Sequence, residues 1–265
     1  MINGVELEHH SVGEGPPILL ISGTHQPAVT WHLGSVELLV DAGYSVVTYD
    51  NRGTAPSGST PSPYSVEMLA GDAAALIEDL QLGPCFVAGL SLGAFITQEL
   101  CLARPDLVRA GVMMGTLADQ PAIGLAWCES QIEMLRQGII PPPEYLAMQT
   151  AYTIFSPARL FDDDFIVPFL TMAGSLVPET GDGPIGQLEA DRSYGGRLDA
   201  LAKIDVPTLV VCFEHDLLTP PHLGRAVARA IPGAELIELA GLGHAGPIED
   251  PHPVAAELVR FFGSH

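Results

Sequence analysis

"CFVAGLSLGAFITQELCLARP", residues 85–105, decides the reading of this chain. Its opening is a short apolar run, which reads as a buried strand. From Leu92 onward it reads as a helix, stopped near Pro105. Between the two stands Ser91, with Gly89 and Gly93 on either side. A turn needs glycine but does not need this serine. A nucleophile at a strand-to-helix turn needs both. The serine must take up a strained backbone conformation that pushes its hydroxyl outward, and side chains at the two flanking positions would collide with neighbouring backbone. The helix behind it aims its free N–H groups at the reacting centre.

A serine hydroxyl is a weak nucleophile near neutral pH, so it needs a base, and the base needs an orienting acid. For this kind of turn the chain order is Ser, then Asp or Glu, then His. "ELIELAGLGHAGPIEDPHPV" supplies His244, in a glycine-rich loop between the last predicted strand and the last predicted helix. His9 and His10 lie on an early exposed strand, and His222 and His252 begin helices. His215 neighbours the acid candidate, and His265 ends the chain. "VPTLVVCFEHDLLTPP" supplies the acid: Asp216 stands just beyond a strand, with Glu214 as the alternative two residues nearer to it.

The rest of the chain supports an α/β architecture. "PPILLIS", "YSVVTYD", "RAGVMMG", "VPTLVVCFE" and "AELIELA" read as strands, and "VELEHHSVG" as an exposed one. Helices are predicted over "GSVELLVDAG", "YSVEMLAGDAAALIEDLQLG" (capped by Ser65), "HLGRAVARAIPG" and "PHPVAAELVRFFG". This alternation predicts a mostly parallel sheet with helices on both faces. Residues 118–200 break the rhythm with "PPP" at 141–143, three consecutive aspartates at 162–164 and "TGDGPIGQ". They are expected to form a helical lid inserted into a core made of residues 1–117 and 201–265.

With 265 residues, 47% of them hydrophobic, the chain is long enough and apolar enough for a large core. Its 32 acidic and 11 basic residues give a formal charge of −21, which repels nucleic acid and anionic membranes. The four cysteines, Cys85, Cys101, Cys128 and Cys212, have no zinc-ligand spacing and read as free buried thiols of a reducing compartment. No leader pattern or membrane-length apolar run is present, so a cytoplasmic protein is expected.

These segments, taken together, resemble the α/β-hydrolases. "GLSLG" resembles that family's nucleophile turn, "EHDLLTPP" its acid loop, and "GLGHAGPIEDPHPV" its histidine loop. "YDNRGTAPS" resembles the Asp-x-Arg-Gly turn that often follows its fourth strand. The resemblance covers nearly the whole sequence apart from the lid. It implies Ser91 as nucleophile, Asp216 as acid and His244 as base. It also implies an oxyanion hole made by the backbone N–H groups of Thr24 and Leu92. Two departures stand out. "LISGTH" has Ser22 and Gly23 where the family commonly has His-Gly, and Phe213 stands where a glycine is common before the acid. Backbone donors survive the first change, while His25 in the same loop either reaches the pocket or caps the loop.

The expected chemistry is cleavage of an ester, thioester or lactone of a medium-sized, largely apolar small molecule through an acyl-enzyme. It needs no metal or organic cofactor. Trp127, Tyr145, Tyr152, Phe155, Phe165 and Phe169 are possible pocket walls. Two alternatives remain open: a lyase or cyclase of the same fold acting in natural-product biosynthesis, and a ligand-binding member that has lost catalysis. Epoxide hydrolases and haloalkane dehalogenases of this fold use an Asp where Ser91 stands. Cofactor-free haloperoxidase activity would be a side reaction of the same three residues.

Overall fold

The computed structural model describes residues 1–175 and 178–265. In chain order the first half comprises β1 (His9–Val12), β2 (Pro17–Ile21), α1 (Ser35–Asp41), β3 (Ser45–Tyr49), α2 (Val66–Asp79), β4 (Cys85–Leu90), α3 (Leu92–Ala103) and β5 (Val108–Met114). Six helices follow: α4 (Ala122–Arg136), α5 (Pro143–Ile154), α6 (Pro157–Leu160), α7 (Asp163–Ala173), α8 (Asp182–Ser193) and α9 (Leu198–Leu201). The chain closes with β6 (Thr208–Phe213), α10 (Pro221–Ala230), β7 (Glu235–Leu239), α11 (Gly246–Glu249) and α12 (Pro251–Phe262).

The sheet order is β1-β3-β2-β4-β5-β6-β7. Only β1 is antiparallel, pairing with β3 at one edge. The other strands run parallel, as helical crossovers between successive strands require. The buried strands use both faces. On β2, Ile18 and Leu20 pack with Leu39, Leu258 and Phe262, whereas Leu19 and Ile21 pack with Leu69, Ile77 and Phe95. The period-2 alternation of a strand therefore loads two cores, one under α1 and α12, the other under α2, α3 and α10. β7, at the opposite edge, is partly exposed along its length.

The expected strands and flanking helices are present. The Ser65 hydroxyl accepts from the Met68 amide at 3.2 Å, capping α2 as the sequence predicts. Among the elements with no counterpart in the sequence reading are a 3-10 helix at Ala28–Leu33 and α11. Both are held from outside their own segment. Asp50 accepts from the Ala28 amide at 2.7 Å, and the Ala245 amide just before α11 donates to the Ile154 carbonyl at 2.9 Å. All four cysteines are free and buried, and burial pushes their thiols up to about 12.

The helices between β5 and β6 form two small clusters of their own. Phe155, Phe165 and Phe169 meet edge to face at ring separations of 4.7–5.0 Å, with Ile166 and Ala245 beside them. Trp127, Ile132, Ile185 and Leu188 join α4 to α8. Helix α8 is anchored on the turn after β3 by backbone contact. A Cβ added at Gly53 would lie 2.7 Å from the Gly183 carbonyl oxygen, and one added at Gly183 equally close to that of Gly53.

Candidate active site

Ser91 occupies the single residue between β4 and α3, at φ 57° and ψ −121°. A non-glycine residue rarely adopts this region, and the two glycines make it possible. A Cβ at Gly89 would lie 2.0 Å from the Gly93 carbonyl oxygen, and one at Gly93 2.1 Å from that of Ile21. The tight turn thus lets α3 start against the end of β2. A Cβ at Gly23 would sit 3.2 Å from the Ser91 Cβ, so the loop after β2 passes directly over the serine.

Asp216 lies just past β6, and its oxygens are fully engaged. Oδ1 accepts from the amides of Leu218 (2.9 Å) and Thr219 (2.8 Å). Oδ2 accepts from the Thr219 hydroxyl at 2.7 Å and meets His244 Nδ1 at 2.8 Å. Burial alone would raise this carboxyl. The adjacent imidazole and the Thr219 donors outweigh burial and hold it below the usual carboxylate range. An ionised Asp216 accepts a proton-bearing Nδ1 and leaves Nε2 as the free base. Glu214 points elsewhere: its Oε2 accepts from the Gly241 amide at 2.8 Å.

His244 is 5% exposed. Gly115, the residue after β5, fixes its place: a Cβ there would meet the ring at 3.1 Å and the Thr219 hydroxyl at 3.2 Å. The preceding residue, Met114, accepts from the Ser91 amide at 3.0 Å. The serine and the imidazole therefore flank one turn at the carboxyl end of β5. No hydrogen bond joins the Ser91 hydroxyl to the ring among the described residues, whereas the acid–imidazole pair is formed. Phe213, where a glycine is common, packs its ring under the histidine loop; a Cβ at Gly246 would fall 2.4 Å from it.

Thr24 and Leu92 also border the serine, Leu92 as the first residue of α3 and Thr24 one residue beyond Gly23. The His25 imidazole faces α8, with Nε2 3.0 Å from the Pro184 carbonyl. Of the turn resembling Asp-x-Arg-Gly, Asn51 donates to the Ser22 carbonyl at 2.8 Å, and Arg52 forms a buried two-pronged pair with Asp72 at 2.7 and 2.8 Å. The first holds the start of the loop that carries Thr24, and the second ties the turn to α2.

Three residues that the sequence reading did not single out stand close to this constellation. Glu249 accepts from the Gly243 amide at 2.8 Å and the Ser156 amide at 2.9 Å, tying the histidine loop to the segment between α5 and α6. Gln187 and Asp191, both on α8, bond to the Thr24–His25 loop. The first lies within the stretch that resembles the histidine loop; nothing in the sequence pattern marks the other two. A cleft of about 330 Å³ opens between the acid loop and Tyr152, Phe155 and Leu160. Among the described residues no group of three His, Cys, Asp or Glu side chains is arranged to hold a metal ion, and no helix is long and apolar enough to cross a membrane.

A serine in a strained strand-to-helix turn thus stands near a bonded acid–imidazole pair at the carboxyl edge of a mostly parallel sheet. The sequence model described as the alpha/beta hydrolase family spans residues 18–257, and the chain belongs to that family. The mycobacterial protein called "Putative non-heme bromoperoxidase BpoC" (Mycobacterium tuberculosis) is 33% identical over 98% of both chains. Its crystal structure superimposes with a TM-score of 0.91, covering 100% of this chain and 97% of that one. Rhodomycin D methylesterase DnrP of Streptomyces peucetius is 30% identical, over 97% of this chain and 96% of the other. The crystal structure of the enol-lactonase from Burkholderia xenovorans LB400 shares 25% identity at a TM-score of 0.87, over 99% and 98% of the two chains.

Proposed function

We propose that this enzyme is a serine hydrolase that cleaves a carboxylic ester or lactone of a medium-sized, largely apolar small molecule, with residues 118–200 as its lid. The observation that carries this reading is the 2.8 Å contact of His244 Nδ1 with an ionised Asp216, beside a serine in a strained strand-to-helix turn. His244 Nε2 takes the Ser91 proton as Oγ attacks the carbonyl carbon. The resulting oxyanion lies against the N–H groups of Thr24 and Leu92, each worth on the order of 3 kcal/mol. His244 then gives its proton to the departing alcohol oxygen, leaving Ser91 acylated. A water, deprotonated by the same nitrogen, attacks the acyl carbon and frees the acid. Asp216 holds the imidazole in the required tautomer and stabilises its charged form.

The methylesterase and lactonase relatives support the ester or lactone as substrate class, because both names describe acyl–oxygen cleavage. The relative named for bromoperoxidase activity fits a perhydrolytic side reaction of the same acyl-enzyme. The test is covalent and kinetic. A fluorophosphonate should label wild-type protein at Ser91 by mass spectrometry, and a 4-nitrophenyl ester should be turned over with a burst. S91A should lose both while keeping its circular dichroism spectrum. Turnover retained in S91A overturns the proposal, and labelling without ester turnover points instead to a lyase or cyclase.

A further inference from the structure

Helix α8 reaches across to the loop over the nucleophile and holds it at three points. The Thr24 hydroxyl donates to Asp191 Oδ2. The His25 amide donates to Gln187 Oε1 at 2.8 Å, and the His25 ring meets the Pro184 carbonyl at 3.0 Å. The same Gln187 donates to the Arg52 carbonyl and the Thr54 hydroxyl, both at 2.8 Å, so it is fixed from behind. His25 itself sits at φ 55°, a conformation that needs outside support in a non-glycine residue. The loop 23–26 therefore depends on α8, an element of the inserted segment, for its shape.

Asp191 is an unusual residue to find here. It is 6% exposed, and its Oδ1 has no hydrogen-bond partner among the described residues. Burial pushes its carboxyl up to about 7, against the opposing pull of the Thr24 hydroxyl and of His244. The titratable groups around it are His244 from the histidine loop, the Cys128 thiol from α4 and Arg192 next along α8. A buried carboxyl with one free oxygen is costly, and a structural contact to a threonine could be made by a neutral amide.

We propose that Asp191 is a positioning residue for the reaction: by accepting from the Thr24 hydroxyl it orients the Thr24 backbone N–H toward the developing oxyanion, and so couples α8 to the chemistry. This rests on the serine-hydrolase reading above. The carboxylate is the stronger acceptor, and its charge also favours the imidazolium that forms on His244. The positioning is thus more complete when Asp191 is ionised.

The test is a double-mutant cycle on the full-length protein with 4-nitrophenyl acetate, accompanied by fluorophosphonate labelling. D191A and T24V should each lower kcat by about 10- to 100-fold, a fraction of the loss of a whole donor, with KM within about threefold. The double variant should be no worse than about twofold below the poorer single, because both remove one interaction. T24S, which restores the hydroxyl, should recover most of the T24V loss. D191N should remove a partial wave in the neutral range of the wild-type kcat–pH profile. Losses that multiply in the double variant, a loss confined to KM, or a D191N profile superimposable on wild type would each overturn the inference. If D191A does not fold, D191L, which keeps the volume without an acceptor, forms the same cycle with T24V. Wild-type rates of Ser91 labelling in D191A would sink this inference alone, whereas a wild-type Ser91 that resists labelling would sink the serine-hydrolase reading itself.

Discussion

Replacing Asp216 by asparagine is the most informative single change, because the surrounding bonds dictate how the amide must sit. Two backbone amides, Leu218 and Thr219, already donate to Oδ1 at 2.9 and 2.8 Å. Turning the amide nitrogen toward them would leave both buried donors unpaired, at about 1–3 kcal/mol each. The asparagine oxygen therefore stays there, and its NH2 group replaces Oδ2, facing His244 Nδ1 and the Thr219 hydroxyl. A donor opposite Nδ1 selects the tautomer with its proton on Nε2. That nitrogen then cannot accept from Ser91. The expected loss in kcat is about 10⁴-fold, the size found for the corresponding change in a serine protease, or roughly 5.5 kcal/mol of barrier.

The assay is steady-state hydrolysis of 4-nitrophenyl acetate, with the rate of fluorophosphonate labelling as an independent measure. Rates should rise toward alkaline pH as hydroxide substitutes for the missing base. E214Q is the control, because Glu214 is half-exposed and bonds to the Gly241 amide instead; its kcat should stay within about twofold of wild type. A D216N variant that keeps more than a tenth of wild-type kcat would refute the tautomer argument. A large loss in E214Q alone would transfer the acid's role to Glu214.

Other expectations follow from the same geometry. G93A places a methyl 2.1 Å from the Ile21 carbonyl oxygen and should prevent soluble expression or lower the melting temperature by more than 10 °C, at a cost of about 3 kcal/mol or more. E249A strips the acceptor from the Gly243 and Ser156 amides and should cost about 2–5 kcal/mol in urea unfolding; E249Q keeps an oxygen there and should cost far less. Asp191 titrates near 7 when folded against an ordinary 3.8, so its contribution favours folding below 3.8 and is lost as pH rises toward 7. D191N should therefore gain stability relative to wild type at pH 8 but not at pH 3.5, by up to about 4 kcal/mol, as read by melting temperatures at the two pH values. Asp216 has the opposite sign. Its depressed value contributes stability above 3.8 that is lost as the pH falls through its folded value, so D216N should flatten the acid limb of the unfolding curve.

Local chemistry made part of this molecule legible in advance. Gly89 and Gly93 announce a tight turn around Ser91 because a side chain at either position would collide with backbone, and the apolar runs on either side name the strand and helix that meet there. Asp216 and His244 follow from chain order and from their places just beyond strands. The choice of Asp216 over Glu214 was open in sequence, since both leave the same strand end. In the structure Thr219 and His244 pack around Asp216, while Glu214 bonds to the Gly241 amide instead. Of the candidate pocket aromatics, Phe165 and Phe169 pack against Phe155, while Tyr152 and Phe155 also line the cleft beside the acid loop, a division that helical spacing does not make.

The sequence by itself determined the mostly parallel sheet with its flanking helices and put forward Ser91, His244 and a carboxylate at Asp216 or Glu214 as candidates, because strand periodicity and backbone strain act over a few neighbouring residues. The tertiary structure decided which carboxylate meets the imidazole, and that α8, about 160 residues beyond Thr24, holds the loop above the serine. Those contacts depend on where two distant segments come to rest against each other, and hydrogen bonds at such separations leave no periodic trace along the chain.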